Sequence, residues 1–212
     1  MSQPASVPEF VPASVPAAGS TARVIRADDL RCMPWRNGQG STREVLRVPD
    51  VEDWQWRLSI ADITRDAAFS AFPGMERILV LLGGAGVELR FDDGERVVLD
   101  RPDAAHRFAG ERPLTGVLLA GPTTDLNLMW RREAFDADLA VRDLGTVGSL
   151  TAAAGETWAL HVAEGSAVVD GTALGPGDTW VGGPALAAWN VTVTGSGRAV
   201  FMGLRPVARP SA

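Results

Sequence analysis

Short runs of Val, Leu, Ile, Trp and Phe recur along the chain, each closed by Gly, Pro or Asp, and no long segment keeps the apolar spacing of a helix. That alternation of short apolar runs and turn residues predicts an all-β protein. Strands are expected over residues 43–48, 54–61, 77–82, 87–91, 96–100, 115–120, 157–163, 166–169 and 179–182, with 189–195 and 198–205 as closing strands. A turn is expected at Gly83-Gly84 and a hairpin at Asp92-Asp93-Gly94-Glu95. The clearest strand is 54–61, where Trp54, Trp56, Leu58 and Ile60 fall on one face and Gln55, Arg57, Ser59 and Ala61 on the other. The first face is core. The second either meets solvent or lines a polar cavity, and the pattern alone leaves both open.

The cadence of strand, glycine turn, strand, Asp-Gly and Pro-x-Asp in the first half returns in the second, through Glu164-Gly165, Asp170-Gly171 and Pro176-Gly177-Asp178. A weak internal duplication of this kind predicts two β lobes in one compact unit, 21–135 and 136–212, with 136–150 as the connection. Residues 1–20 repeat Pro-Ala-Ser-Val-Pro and read as an extended or disordered tail.

Composition narrows the function. The formal net charge is -6 and every basic side chain is Arg, so there is no basic footprint for nucleic acid. With no Lys and no Tyr, Schiff-base chemistry and a tyrosine general acid are excluded. Cys32 is the only cysteine, which rules out an intrachain disulfide and makes the cytoplasm the default compartment. A thiol nucleophile would also need a base and an orienting group beside it. No run is apolar enough to span a bilayer as a helix, and the first 20 residues lack the pattern of a signal peptide. No nucleophile elbow, phosphate-binding loop or dinucleotide fingerprint occurs in the right context.

Chemistry concentrates in residues 33–44, Met-Pro-Trp-Arg-Asn-Gly-Gln-Gly-Ser-Thr-Arg-Glu. Gly38 and Gly40 permit conformations or close approaches that a Cβ forbids, while Asn37, Thr42 and Arg43 bring donors of distinct geometry beside Glu44. The segment reads as a ligand-contacting loop, or as a turn into a strand with Trp35 as a core plug. Further blocks follow at 56–61 (Trp-Arg-Leu-Ser-Ile-Ala), 69–74 (Phe-Ser-Ala-Phe-Pro-Gly) with Arg77, 108–110 (Phe-Ala-Gly), and Gly121-Pro122 followed by Asp125, Asn127 and Met129. In these five ordered blocks, spanning Pro34 to Met129, the chain resembles the HutD family, also called HutD/Ves, of bacterial cupin-like proteins.

The resemblance implies a cupin-like double-stranded β-helix in two lobes, a bicupin, with a pocket in the first lobe and a structural second lobe. Cupins that bind metal use His-x-His with a further Glu and His, whereas this chain has only His106 and His161, far apart, so neither a metal nor any other cofactor is expected. Arg43, Arg57 and Arg77 are the candidates for recognising a carboxylate, one of them neutralised by Glu44 or Glu76. Trp35, Phe69, Phe72 and Phe108 are candidate apolar walls, and each is equally at home in a core. Asp125 and Asn127 alternate with Leu126 and Leu128, which places both polar groups on one face of an extended segment.

The family likeness implies a protein that binds a small carboxylate, of the urocanate or formylglutamate class, as a governor or sensor of histidine utilisation. It would act as a homodimer, without nucleic acid or membrane partners. The rival readings are a metal-independent isomerase or hydrolase with Glu44 or Asp125 as general base, and a structural or interaction module with no ligand.

Overall fold

The computed structural model describes residues 22–208, so the tail expected over residues 1–20 lies outside the described residues. These residues form nineteen strands, two short 3-10 turns and no α-helix. No helix is long and apolar enough to cross a membrane.

The strands fall into four sheets. A six-stranded sheet runs in the order β2 (Cys32–Pro34), β3 (Gly40–Val48), β4 (Trp56–Ile63), β11 (Thr123–Arg131), β6 (Met75–Gly84) and β9 (Ala105–Ala109). A four-stranded sheet has β5 (Ala67–Ala68), β10 (Leu114–Leu118), β7 (Val87–Phe91) and β8 (Arg96–Leu99). A five-stranded sheet has β1 (Arg23–Ile25), β17 (Thr179–Gly182), β14 (Thr157–Val162), β19 (Arg198–Pro206) and β12 (Phe135–Asp143). The last has β13 (Ser149–Ala152), β18 (Trp189–Ser196), β15 (Ser166–Val169) and β16 (Thr172–Leu174).

Period-2 patterning explains why the sheets stack in layers. Leu58, Ile60, Leu126, Leu128 and Trp130 leave the six-stranded sheet on one side and meet Ala137, Ala159, Val200, Met202 and Leu204 of the five-stranded sheet in one apolar cluster. On the opposite side Leu79, Leu81 and Phe108 pack against Val87, Leu89, Phe91 and Leu114 of the first four-stranded sheet. A third cluster joins Leu160, Val162, Trp180 and Phe201 to Val169, Val191 and Val193. The six-stranded sheet is therefore covered on both faces, and its central strand β11 is buried along nearly its whole length.

Several expectations need correction. Residues 136–150 are not a plain connection: β12 pairs with β19 from Phe135 to Asp143, its apolar side chains alternating against the central core. Strand β6 runs through Gly83 and Gly84, moving the turn to the following residues. Trp54 does not share the core with Trp56; it precedes β4, half-buried, its ring 6.4 Å from that of Phe72. Strand β1 pairs with β17, so residues 23–25 join the sheet built by the second half of the chain.

The central apolar layer predicts a clear stability hierarchy. Leu128 is wholly buried in it, so Leu128→Ala is expected to lower unfolding free energy by about 2–5 kcal/mol in urea titration. The exposed Val168→Ala is expected to change it by about 0.5 kcal/mol or less.

Candidate functional site

A cavity of about 490 Å³ opens on the face of the six-stranded sheet that turns away from the central core. Strand register assembles it. Ala61, Ser59 and Arg57 on β4 stand opposite Asp125, Asn127 and Met129 on β11, and Met129 in turn stands opposite Arg77 on β6. Thr42 on β3 pairs with Ala61 and so shares the face. All of these residues line the cavity. The walls are completed by residues 33–37 ahead of β3, by Ala68 at the end of β5 and by Phe69, Ser70 and Phe72 beyond it.

Arg77 dominates the floor. Its guanidinium carbon lies 5.4, 5.5 and 5.0 Å from the ring centroids of Phe69, Phe72 and Phe108, a cage of three aromatic faces. Its Nε donates to Asn127 Oδ1 and its Nη1 to the Ser70 carbonyl, both long at 3.5 Å. No ion pair of Arg77 is found among the described residues. Burial pushes its pKa down to about 10, so it remains cationic at neutral pH while lacking the hydrogen bonds that water would supply.

Asp125 is the second unusual group. It is 1% exposed, and neither carboxyl oxygen has a hydrogen-bond partner. Six buried side-chain polar atoms lack partners among the described residues, and only the two of Asp125 belong to a residue lining the cavity. Desolvation pushes its pKa up to about 7, opposed by the attraction of Arg77 and assisted by the charge of Asp62.

The remaining expected residues divide. Trp35 is half-buried, its indole Nε1 donating to Thr42 Oγ1 at 2.8 Å. A Cβ at Gly40 would lie 3.1 Å from that ring and 2.5 Å from the Asp62 carbonyl, so this glycine is what lets the indole lie against β3. Asn37 reaches the rim, yet its amide is engaged locally with the Gln39 side chain at 2.6 Å and backbone N–H at 3.1 Å. Arg57 lines the cavity and donates through Nε to Glu44 at 2.7 Å; no other hydrogen bond of its guanidinium is found among the described residues.

Four residues are not among those lining the cavity. Glu44 is held by Arg57 and acts on the site through it. Phe108 backs Arg77 from the neighbouring strand. Gly38, with φ +67°, shapes the turn after Trp35. Arg43 points the other way: because Thr42 faces the cavity, the next residue on the strand faces the five-stranded sheet. There it makes two hydrogen bonds to Asp62, at 3.0 and 3.2 Å. Sequence reasoning did not single out Met33, Pro34, Arg36, Ala68, Ser70 or Met129 as lining residues, and it reached Ala61 only through the strand face shared with Arg57 and Ser59.

The histidines lie elsewhere. His106 stacks on Phe108 at 5.8 Å. His161 is buried against Thr179 at 2.9 Å, its pKa pushed down to about 4, chiefly by desolvation. No group of three or more His, Cys, Asp or Glu able to hold a metal ion is found among the described residues.

The HutD family profile matches residues 27–201. The chain is 38% identical over 123 residues to an uncharacterized 21.2 kDa protein in the hutC 3' region of Pseudomonas putida, covering 57% of this chain and 64% of that protein. It is 40% identical over 120 residues to protein Ves of Citrobacter koseri, covering 54% and 62% respectively. These alignments thus span less than two thirds of the relatives' length. Among solved structures, HutD from Pseudomonas fluorescens SBW25 superposes with a TM-score of 0.81 at 32% identity, covering 89% of this chain and all of that one. A conserved protein of unknown function from Pseudomonas aeruginosa PAO1 gives 0.76 at 29%, covering 88% of this chain and 99% of that one. Ylba from Escherichia coli shares the fold alone, with a TM-score of 0.68 at 11% identity, covering 90% of this chain and 93% of that one. The chain belongs to the HutD family, and its fold is all-β and cupin-like.

The raised pKa of Asp125 has a thermodynamic signature. The folded protein holds this proton to about pH 7, while an unfolded Asp releases it near pH 4. Stability from this group is therefore fully present below about pH 4 and is lost as pH rises through about 7. Asp125→Asn is expected to match the parent protein in urea unfolding at about pH 4 and to exceed it by a few kcal/mol at about pH 8. A difference independent of pH would contradict this environment for Asp125.

Proposed function

We propose that this protein binds a small carboxylate in the Arg77 cavity and acts as a sensor or governor linked to histidine utilisation, with urocanate or formylglutamate as the class of ligand. The observation that carries this reading is the buried Arg77 guanidinium, caged by three aromatic rings and joined to the protein by only two long hydrogen bonds. A desolvated cation of this kind favours a bidentate carboxylate. Arg57, on β4 across the intervening β11, adds a second guanidinium, and Trp35 and Phe69 offer flat apolar walls. The link to histidine utilisation is supported by relatives described as HutD and as encoded in the hutC 3' region. In this reading the chain is a bicupin whose first lobe holds the ligand and whose second lobe supports it through the central apolar layer.

A second reading, a metal-independent enzyme acting on such an acid, is favoured by one observation: the Asp125 carboxyl titrates near 7, where a general base works well at neutral pH. Glu44 is a poor alternative base, since Arg57 occupies it. Conversion of urocanate or formylglutamate by metal-stripped protein, followed by proton NMR, would favour this second reading over the sensor.

Calorimetric titration tests the binding reading. The parent protein is expected to bind at least one of the two acids, and Arg77→Gln to weaken that binding tenfold or more, the equivalent of losing a charged hydrogen bond of about 1.5–3 kcal/mol. Arg43→Gln, on the other face of the sheet, is expected to leave affinity unchanged while affecting stability. A folded Arg77→Gln protein with unaltered affinity would contradict the assignment.

A further inference from the structure

The carboxylate reading accounts for Arg77 and leaves Asp125, whose buried carboxyl oxygens have no partner, without a role. Its neighbours across both strands are Ala61 and Leu81, which offer no side-chain donor. The next cavity-facing residue on β11 is Asn127, whose Oδ1 accepts from Arg77. Thr123, two residues the other way, has its hydroxyl on the Gly86 N–H at 3.1 Å. Both Asp125 oxygens therefore stay unpartnered and closed to solvent, on a residue that lines the cavity. Buried oxygens in this state require a donor, and the cavity is where one can arrive.

We propose that Asp125 is a specificity-determining subsite that receives a neutral N–H donor of the ligand, so that the pocket selects acids carrying such a group over acids of the same shape without one. This inference rests on the carboxylate reading. Like charges would keep a ligand carboxylate away from Asp125 and direct it to Arg77 and Arg57. The Arg77 guanidinium lies beside Asn127, and Asn127 is two residues from Asp125 along an extended strand, a separation of about 7 Å. The ligand thus carries its carboxylate and its N–H at roughly opposite ends of a short, flat body. Arg36, Arg57 and Arg77 surround the cavity with positive charge against the single carboxyl of Asp125, which disfavours an ammonium and favours a heteroaromatic ring or an amide as the donor.

A matched pair of acids tests the proposal. Urocanate, with its imidazole N–H, and 3-(2-furyl)acrylate, of similar outline and lacking an N–H, are titrated calorimetrically into the full chain and into Asp125→Leu and Asp125→Asn, at a pH where imidazole is largely neutral. The parent protein is expected to prefer urocanate tenfold or more. Asp125→Leu is expected to abolish the preference, chiefly by weakening urocanate, while Asp125→Asn, which keeps one acceptor oxygen, retains part of it. Comparable affinities of the two acids for the parent protein would overturn the Asp125 subsite and leave the carboxylate reading standing, and that result does not depend on either variant folding. A preference that persists in a folded Asp125→Leu protein would likewise overturn it. If neither acid binds the parent protein, the carboxylate reading for this ligand class fails and this inference fails with it.

Discussion

Everything at the site depends on the register of one strand. Strand β11 lies in the middle of the six-stranded sheet with both faces covered, sending Leu126, Leu128 and Trp130 into the central apolar layer and Asp125, Asn127 and Met129 toward the cavity. A slip of one residue against β4 or β6 would place an aspartate and an asparagine among leucines and would line the cavity with leucine. Burial of the apolar set fixes the register, and the register delivers the polar set to the cavity. Stability and site geometry therefore share a single cause.

The same arrangement explains why two charged side chains are tolerated in the interior. Arg77 and Asp125 influence each other's ionisation, but neither satisfies the other: Arg77 leans on aromatic faces and long hydrogen bonds, and the Asp125 oxygens have no partner. Leaving a buried polar group unpaired opposes folding by about 1–3 kcal/mol, more for a charged one. Structural ion pairs elsewhere in the molecule look different. Arg43 with Asp62 and Arg26 with Asp178 meet at 3.0 and 2.7 Å in partly exposed positions. Unfulfilled groups in a concave site, beside fulfilled ones outside it, are the pattern of a surface prepared for a ligand.

Much of this was legible in the sequence, in particular places and for particular reasons. The strict alternation through Arg57, Ser59 and Ala61 identified a face that does line the cavity, and the alternation of Asp125 and Asn127 with leucines identified its partner. The same logic carries to Met129, two residues beyond Asn127. Strand β12 also alternates, through Phe135, Ala137, Leu139 and Val141, but its aspartates are poor strand formers and masked the signal. The facing of Arg43 was not readable, because it depends on how β3 is registered against β4, and that register contains a bulge between Glu44 and Leu46. Nor could the sequence show that Asp125 is without a donor, which is a property of Ala61 and Leu81 on neighbouring strands.

Asp125 stands on the wall of the cavity as a desolvated carboxyl whose two oxygens have no hydrogen-bond partner. The most direct measurement is a pH titration of the Asp125 side-chain carbon by ¹³C NMR, assigned through Asp125→Asn. A midpoint near 7 is expected. A midpoint at the ordinary aspartate value, about 4, would show a solvated or hydrogen-bonded carboxyl and contradict it.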